Sequence, residues 1–200
     1  GPTVIDYDDH LLTVRCTECE GMWQSPDYPS GTIISASRPP IGLKDRTPQE
    51  FFWSGNTRDR HRHFSMIEGV CPDCSGMVSI TYHVCEDHDT HDGTVCEHCG
   101  SLYEIQSVFV CEVCKHTSTT PAWAPMFTEM AVKVFFYEHR LDIHTLFEKL
   151  SWGAIHDAIK ELTVRSEEPL EIGVAVELDG DRLKVTLDDQ ARVVDVIVDG

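Results

Sequence analysis

The chain has 200 residues, enough for one ordinary domain or two small ones, and 41% of them are hydrophobic, so a core is affordable but modest. Its net charge is -18, from 34 acidic and 16 basic residues, which repels a phosphate backbone and disfavours broad nucleic-acid binding. No apolar run reaches the ~20 residues of a membrane helix, and no basic start leads into an apolar secretory stretch, so the expected location is cytoplasmic.

The opening Gly1-Pro2 reads as the remnant of a cleaved tag, which leaves room for natural sequence before it. Tyr7 to Arg15 (YDDHLLTVR) alternates and predicts one strand leading into Cys16. Residues 24–46, rich in Pro, Gly and Ser, predict an irregular excursion. Thr47, Pro48 and Glu50 then spell a helix start with a capping box. A second helix is expected over NTRDRHRHFSMIEGV, ending at Gly69. Met77 to Val84 alternates as a strand, and Cys85 to Thr94 (CEDHDTHDGT) is a polar turn or loop.

Between Cys99 and Cys111, period-two spacing at Leu102, Glu104, Gln106, Val108 and Val110 predicts two short strands. Phe127 to Leu141 carries a helical apolar stripe, and a short helix is expected in IHTLFEKL. AIHDAIKELTV leans to strand in its second half. LEIGVAVEL, RLKVTL and RVVDVIV, separated by turn residues, predict an antiparallel meander. The expected class is α+β: zinc-ribbon-like hairpins, a helical insertion near 47–68, a central helix and a C-terminal meander. The expected division is a zinc-binding region over 3–120 and a helix-plus-meander region over 121–200, packed as one unit.

Eight of the nine cysteines fall in Cys-x-x-Cys pairs, at Cys16/Cys19, Cys71/Cys74, Cys96/Cys99 and Cys111/Cys114. Without a secretory signal, that pattern reads as two four-thiolate zinc sites rather than as disulfides. Glycines at 21, 76 and 100, one or two residues past the second cysteine, suit the turn that follows three of the four knuckles. The short gap pairs Cys96/Cys99 with Cys111/Cys114 as a ribbon, leaving Cys16/Cys19 to Cys71/Cys74. Pairing of Cys71/Cys74 with Cys96/Cys99 stays open. A four-thiolate site contributes ~10–16 kcal/mol of apparent binding energy, against ~5–15 kcal/mol for a whole domain. Four cysteines leave no open coordination position, so a structural role is expected and catalysis is not.

Cys85, His88 and His91 offer a third metal site or a redox-sensitive thiol; a packed cysteine beside a solvated loop is the blander reading, and the favoured one. The basic run Arg58 to His63 (RDRHRH) reads as a helix face paired with nearby acids rather than a nucleic-acid contact. Trp23, Trp53, Trp123 and Trp152 read as core or pocket wall. No His-Glu-x-x-His, Gly-x-Ser-x-Gly or phosphate-loop frame is present.

YDDHLLTVRCTEC, TPQEFF, RHRHFSMIEGVCPDCSGMV, VCEVCKH, VKVFFYEHRLD and the ending SEEPLEIGVAVELDGDRLKVTLDDQARVVDV together resemble the C-terminal region of haloarchaeal winged-helix (ArsR-like) transcriptional regulators. The resemblance spans most of residues 5–198. It implies a non-enzymatic sensing, dimerisation or partner-binding domain, with a DNA-binding winged helix expected N-terminal to it. A homodimer and a small-molecule ligand are the implied partners. Arg outnumbers Lys ten to six on an acidic chain, which suits a salty cytoplasm where screening shrinks to ~3 Å at 1 M. The alternatives are a stand-alone zinc-ribbon adaptor for protein or nucleic acid, and a thiol-based redox sensor.

Overall fold

The computed structural model describes residues 2–23, 26–90, 94–141 and 152–199. The short helix expected in IHTLFEKL, the side chain of Trp152 and His91 lie outside the described residues. The protein is mixed α+β, with three antiparallel sheets and few helices among the described residues. It divides into two compact units, residues 1–58 with 85–104 and residues 59–84 with 105–200. The units interleave along the sequence, whereas the sequence suggested one metal-binding region running to residue 120.

In the first unit, β1 (Thr3–Asp8), β2 (Leu11–Cys16) and β3 (Thr32–Ser37) form a sheet in that order. The single strand expected over Tyr7–Arg15 is thus the meeting of two. Asp9 and His10 take φ of 42° and 67°, and Asp8 pairs with Leu11. Two consecutive left-handed residues make the two-residue hairpin turn whose twist matches its strands. β3 also gives regular structure to part of the stretch expected to be irregular. Its partner is β2, with Thr13 opposite Ser35.

Helix α1 (Pro48–Ile67) replaces the two helices expected there. Its start is the capping box: the Thr47 N–H donates to Glu50 Oε2 at 2.8 Å, and the Glu50 N–H to Thr47 Oγ1 at 3.2 Å. Gly55 lies inside the helix rather than ending it. A Cβ there would collide with the Arg38 side chain, so the glycine makes room for that guanidinium. Phe51 and Phe52 close the unit's core with Leu12 and Val14. Tyr7 meets Phe51 edge-on at 5.2 Å.

In the second unit, β4 (Val78–Val84), β5 (Ile105–Cys111) and β6 (Thr117–Pro121) form a sheet. Only β5 is a strand between Cys99 and Cys111, where two were expected. It is the central strand, flanked by β6 and by β4, the latter in a register that sets Val78 opposite Cys111 and Val84 opposite Ile105. Met66, Cys71, Val78, Phe109 and Cys111 form one buried cluster. Helix α2 (Met130–Glu138) buries Val132, Phe135 and Phe136. Phe136 meets Phe127 edge-on, and Phe127 meets Trp123 likewise, so Trp123 is core as expected.

Helix α3 (Trp152–Ala158) runs into β7 (Ile159–Glu167), β8 (Leu170–Leu178), β9 (Asp181–Leu187) and β10 (Val193–Asp199). These strands form the meander in the order β10-β9-β8-β7. Ile172, Val174, Val176, Leu183, Val185 and Leu187 are fully buried on the two central strands.

Candidate metal centres

Three of the four Cys-x-x-Cys pairs adopt one backbone. The first cysteine's N–H donates to the carbonyl five residues on: Cys71 to Gly76, Cys96 to Ser101 and Cys111 to His116, at 2.8–2.9 Å. The N–H four residues on returns to the first cysteine's carbonyl: Ser75 to Cys71, Gly100 to Cys96 and Lys115 to Cys111. The residue just past each second cysteine turns left-handed, with φ of 59° at Ser75, 65° at Gly100 and 64° at Lys115. This tight knuckle points two sulfurs to one side.

The β4–β5 ladder decides which knuckles meet. Antiparallel pairing brings the start of β4, just after Cys71/Cys74, beside the end of β5 at Cys111. Cys71, Cys74, Cys111 and Cys114 form one cluster. Cys71 Sγ lies 3.6 Å from Cys114 Sγ, and Cys74 Sγ 3.5 Å from Cys111 Sγ. A zinc tetrahedron with Zn–S of ~2.3 Å has an edge of ~3.8 Å, so four thiolates at this spacing fit such an ion.

The second cluster is Cys85, His88, Cys96 and Cys99. Cys85 follows β4, and its N–H donates to the Glu104 carbonyl at 2.9 Å, closing the base of the loop. His88 Nδ1 lies 3.5 Å from Cys99 Sγ. Three thiolates and an imidazole are an ordinary structural zinc set. In both clusters the donor atoms all lie within 4.8 Å of one another, and each could hold one metal ion.

The expected pairings are therefore corrected. Cys96/Cys99 does not join Cys111/Cys114, because the strand between them pairs with β4 instead of folding back. Cys16/Cys19 does not join Cys71/Cys74, and belongs to no four-ligand cluster among the described residues. Its backbone also differs: the Cys16 N–H donates to Gly31 across the sheet edge, not to a carbonyl five residues on. Cys85 and His88, expected as a packed thiol beside a solvated loop, complete the second cluster. Cys85-x-x-His88 repeats the knuckle spacing with imidazole for the second thiolate, and that was the legible signal.

The electrostatics suit cation capture. The N–H of Cys114, then that of Val113, holds the Cys111 thiol down to about 6 against its burial. The N–H of Asp89, 3.4 Å away, draws Cys96 down to about 6. Cys114 and Cys85 move upward. Despite the N–H of His116, the sulfurs of Cys74, Cys71 and Cys111 push Cys114 up to about 12. Burial, then the Cys99 and Cys96 sulfurs, pushes Cys85 to about 11. Sulfurs this close ionise together only when a cation offsets their charge.

A polar shell braces the first cluster. Arg62 forks onto both carboxylate oxygens of Asp73, inside the Cys71–Cys74 knuckle, at 2.8 and 2.9 Å. His116 Nδ1 lies 3.2 Å from the same carboxylate. This is the acid pairing expected of the RDRHRH run, aimed at a metal knuckle. A cleft of about 260 Å³ lies here, lined by Asp59, Arg62, His63, Met66, His116, Thr117 and Ser118. The glycines behave differently from expectation at one knuckle. Gly76 does not carry the left-handed turn, which falls on Ser75. A Cβ at Gly76 would sit 3.1 Å from Cys111 Sγ and 2.8 Å from Val113 Cγ2, so the absent side chain admits the sulfur.

A family described as a domain of unknown function, DUF7351, matches residues 1–193. The chain belongs to the DUF7351 family. No curated protein matches it, and no solved structure does. The match covers both cysteine clusters, so both lie within the DUF7351 domain. Among its described residues no helix is long and apolar enough to cross a membrane.

Proposed function

We propose that this DUF7351 domain is a non-enzymatic regulatory module held together by two structural zinc ions, and that it serves a haloarchaeal transcriptional regulator. The carrying observation is that each cluster supplies four protein donors. A catalytic zinc keeps a position for water or substrate, and four protein ligands fill it. Seven thiolates and one imidazole favour zinc over the oxygen-seeking calcium and magnesium.

In this reading zinc performs no chemistry. It fixes the β4–β5 ladder and the 85–104 loop so that a ligand pocket or dimer face keeps one shape. That shape sets the position of an attached winged-helix DNA-binding domain. The acidic surface leaves direct nucleic-acid contact to that other domain, and suits a salty cytoplasm. The regulator resemblance supplies the transcriptional part of the proposal.

The test has two arms. Metal analysis of the purified chain should find two zinc ions, and chelation should unfold it without exposing any hydrolytic activity in the loaded form. Chromatin mapping of the full-length protein should find it at discrete promoters. Substrate turnover that is lost in a zinc-ligand variant which still folds would overturn the structural role. Absence from chromatin would overturn the transcriptional one.

A further inference from the structure

The clusters leave one cysteine pair unused. Cys16 ends β2 and is buried, while Cys19 is exposed in the loop that follows. The nearby Cys19 side chain, then the backbone N–H groups of Glu18 and Cys19, draw the Cys16 thiol below its ordinary value, while Cys16 pushes the Cys19 thiol up. The loop is clamped rather than loose. Gly31 donates to the Glu20 carbonyl at 2.9 Å, Met22 donates to Thr32 at 2.8 Å, and a Cβ at Gly31 would strike the Cys16 carbonyl. Two thiols of one Cys-x-x-Cys turn, one sheltered and one facing solvent, on a fixed loop outside both metal clusters, form the arrangement of a reversible dithiol.

We propose that Cys16 and Cys19 form a thiol–disulfide exchange site that oxidises to an internal disulfide while both metal clusters keep their ions. The oxidant is a low-molecular-weight disulfide, RSSR. The exposed Cys19 thiolate attacks one sulfur of RSSR, forming the mixed disulfide Cys19–S–S–R and releasing RS⁻. The Cys16 thiolate, steadied by its N–H donors, then attacks Cys19 Sγ and expels the second RS⁻. One S–S bond is broken and one is formed. The protein loses two electrons and two thiol protons, and RSSR gains two electrons to leave as two thiols. The seven cluster thiolates are protected because a metal-bound thiolate has its lone pair engaged and its charge offset.

The experiment treats the metal-loaded protein with hydroxyethyl disulfide, then alkylates it and maps the peptides. The expected result is a Cys16–Cys19 disulfide with both metal ions retained, reversed by dithiothreitol. Cys16→Ser should stop the reaction at a stable hydroxyethyl adduct on Cys19. Cys19→Ser, an exposed change that leaves the sheet intact, should form neither disulfide nor adduct at concentrations that oxidise the wild type. Three results would overturn the proposal: both thiols staying alkylatable until metal is lost; oxidation of a cluster cysteine first; or a further metal ion bound by Cys16/Cys19, bridging two copies.

Discussion

His88 Nδ1 stands 3.5 Å from Cys99 Sγ, close to the ~3.6 Å edge expected between nitrogen and sulfur in a shared zinc tetrahedron. That spacing fits His88 as the fourth donor of the second cluster. If four ligands share ~10–16 kcal/mol evenly, each carries roughly 2.5–4 kcal/mol. His88→Ala should weaken metal binding there by roughly 50- to 1000-fold, and His88→Cys should restore it. Cobalt substitution followed by competitive chelation measures this, and the thiolate charge-transfer band should strengthen in His88→Cys.

The close approach of Gly76 to Cys111 gives a second expectation. Gly76→Ala adds a methyl 3.1 Å from the Cys111 sulfur and against Val113. The first cluster should lose metal affinity while the second keeps its own. Chelator titration should then show one ion released early and one at the wild-type concentration.

His139 caps helix α2 with a hydrogen bond between its Nδ1 and the Phe135 carbonyl at 2.7 Å, and its Nε2 lies 3.2 Å from Asp181 Oδ2. The carbonyl, then Asp181 with help from Asp179, raises its pKa despite some burial. Both ring nitrogens donate only in the protonated form. The stabilisation is thus complete below the unfolded value near ~6.5, and disappears as pH rises through the higher folded value. Denaturant unfolding across that range should show wild type losing its advantage over His139→Gln as pH climbs. A constant difference between the two would refute the pairing.

Helix α2 ends with Arg140 at φ 60°. Arg140 N–H donates to Tyr137 and Leu141 N–H to Phe136, at 3.0 and 2.9 Å, the paired bonds of a Schellman ending. That position favours glycine, so Arg140→Gly should raise stability by about 1 kcal/mol in the same unfolding assay.

Local chemistry was easier to read than partnership. The Thr47–Glu50 box, the buried Trp123, the α2 stripe and the C-terminal meander follow from patterns a few residues long. The Asp9-His10 turn escaped because neither residue is the usual glycine, and alternation continues across it. Metal pairing escaped for a different reason. It depends on β4 finding β5, a contact across a long loop, whereas the short gap from Cys99 to Cys111 suggested a closed hairpin. Cys85 and His88 were legible as a candidate metal pair from their knuckle spacing, but not their meeting with Cys96 and Cys99, because the short gap had already assigned those two to Cys111/Cys114.

The most direct test of two closed centres is zinc stoichiometry with X-ray absorption on a Cys16→Ser/Cys19→Ser variant. Two zinc ions per chain are predicted, with a combined first shell of seven sulfurs and one imidazole nitrogen. A loss of one zinc on removing Cys16 and Cys19, or an oxygen in either first shell, would contradict the account.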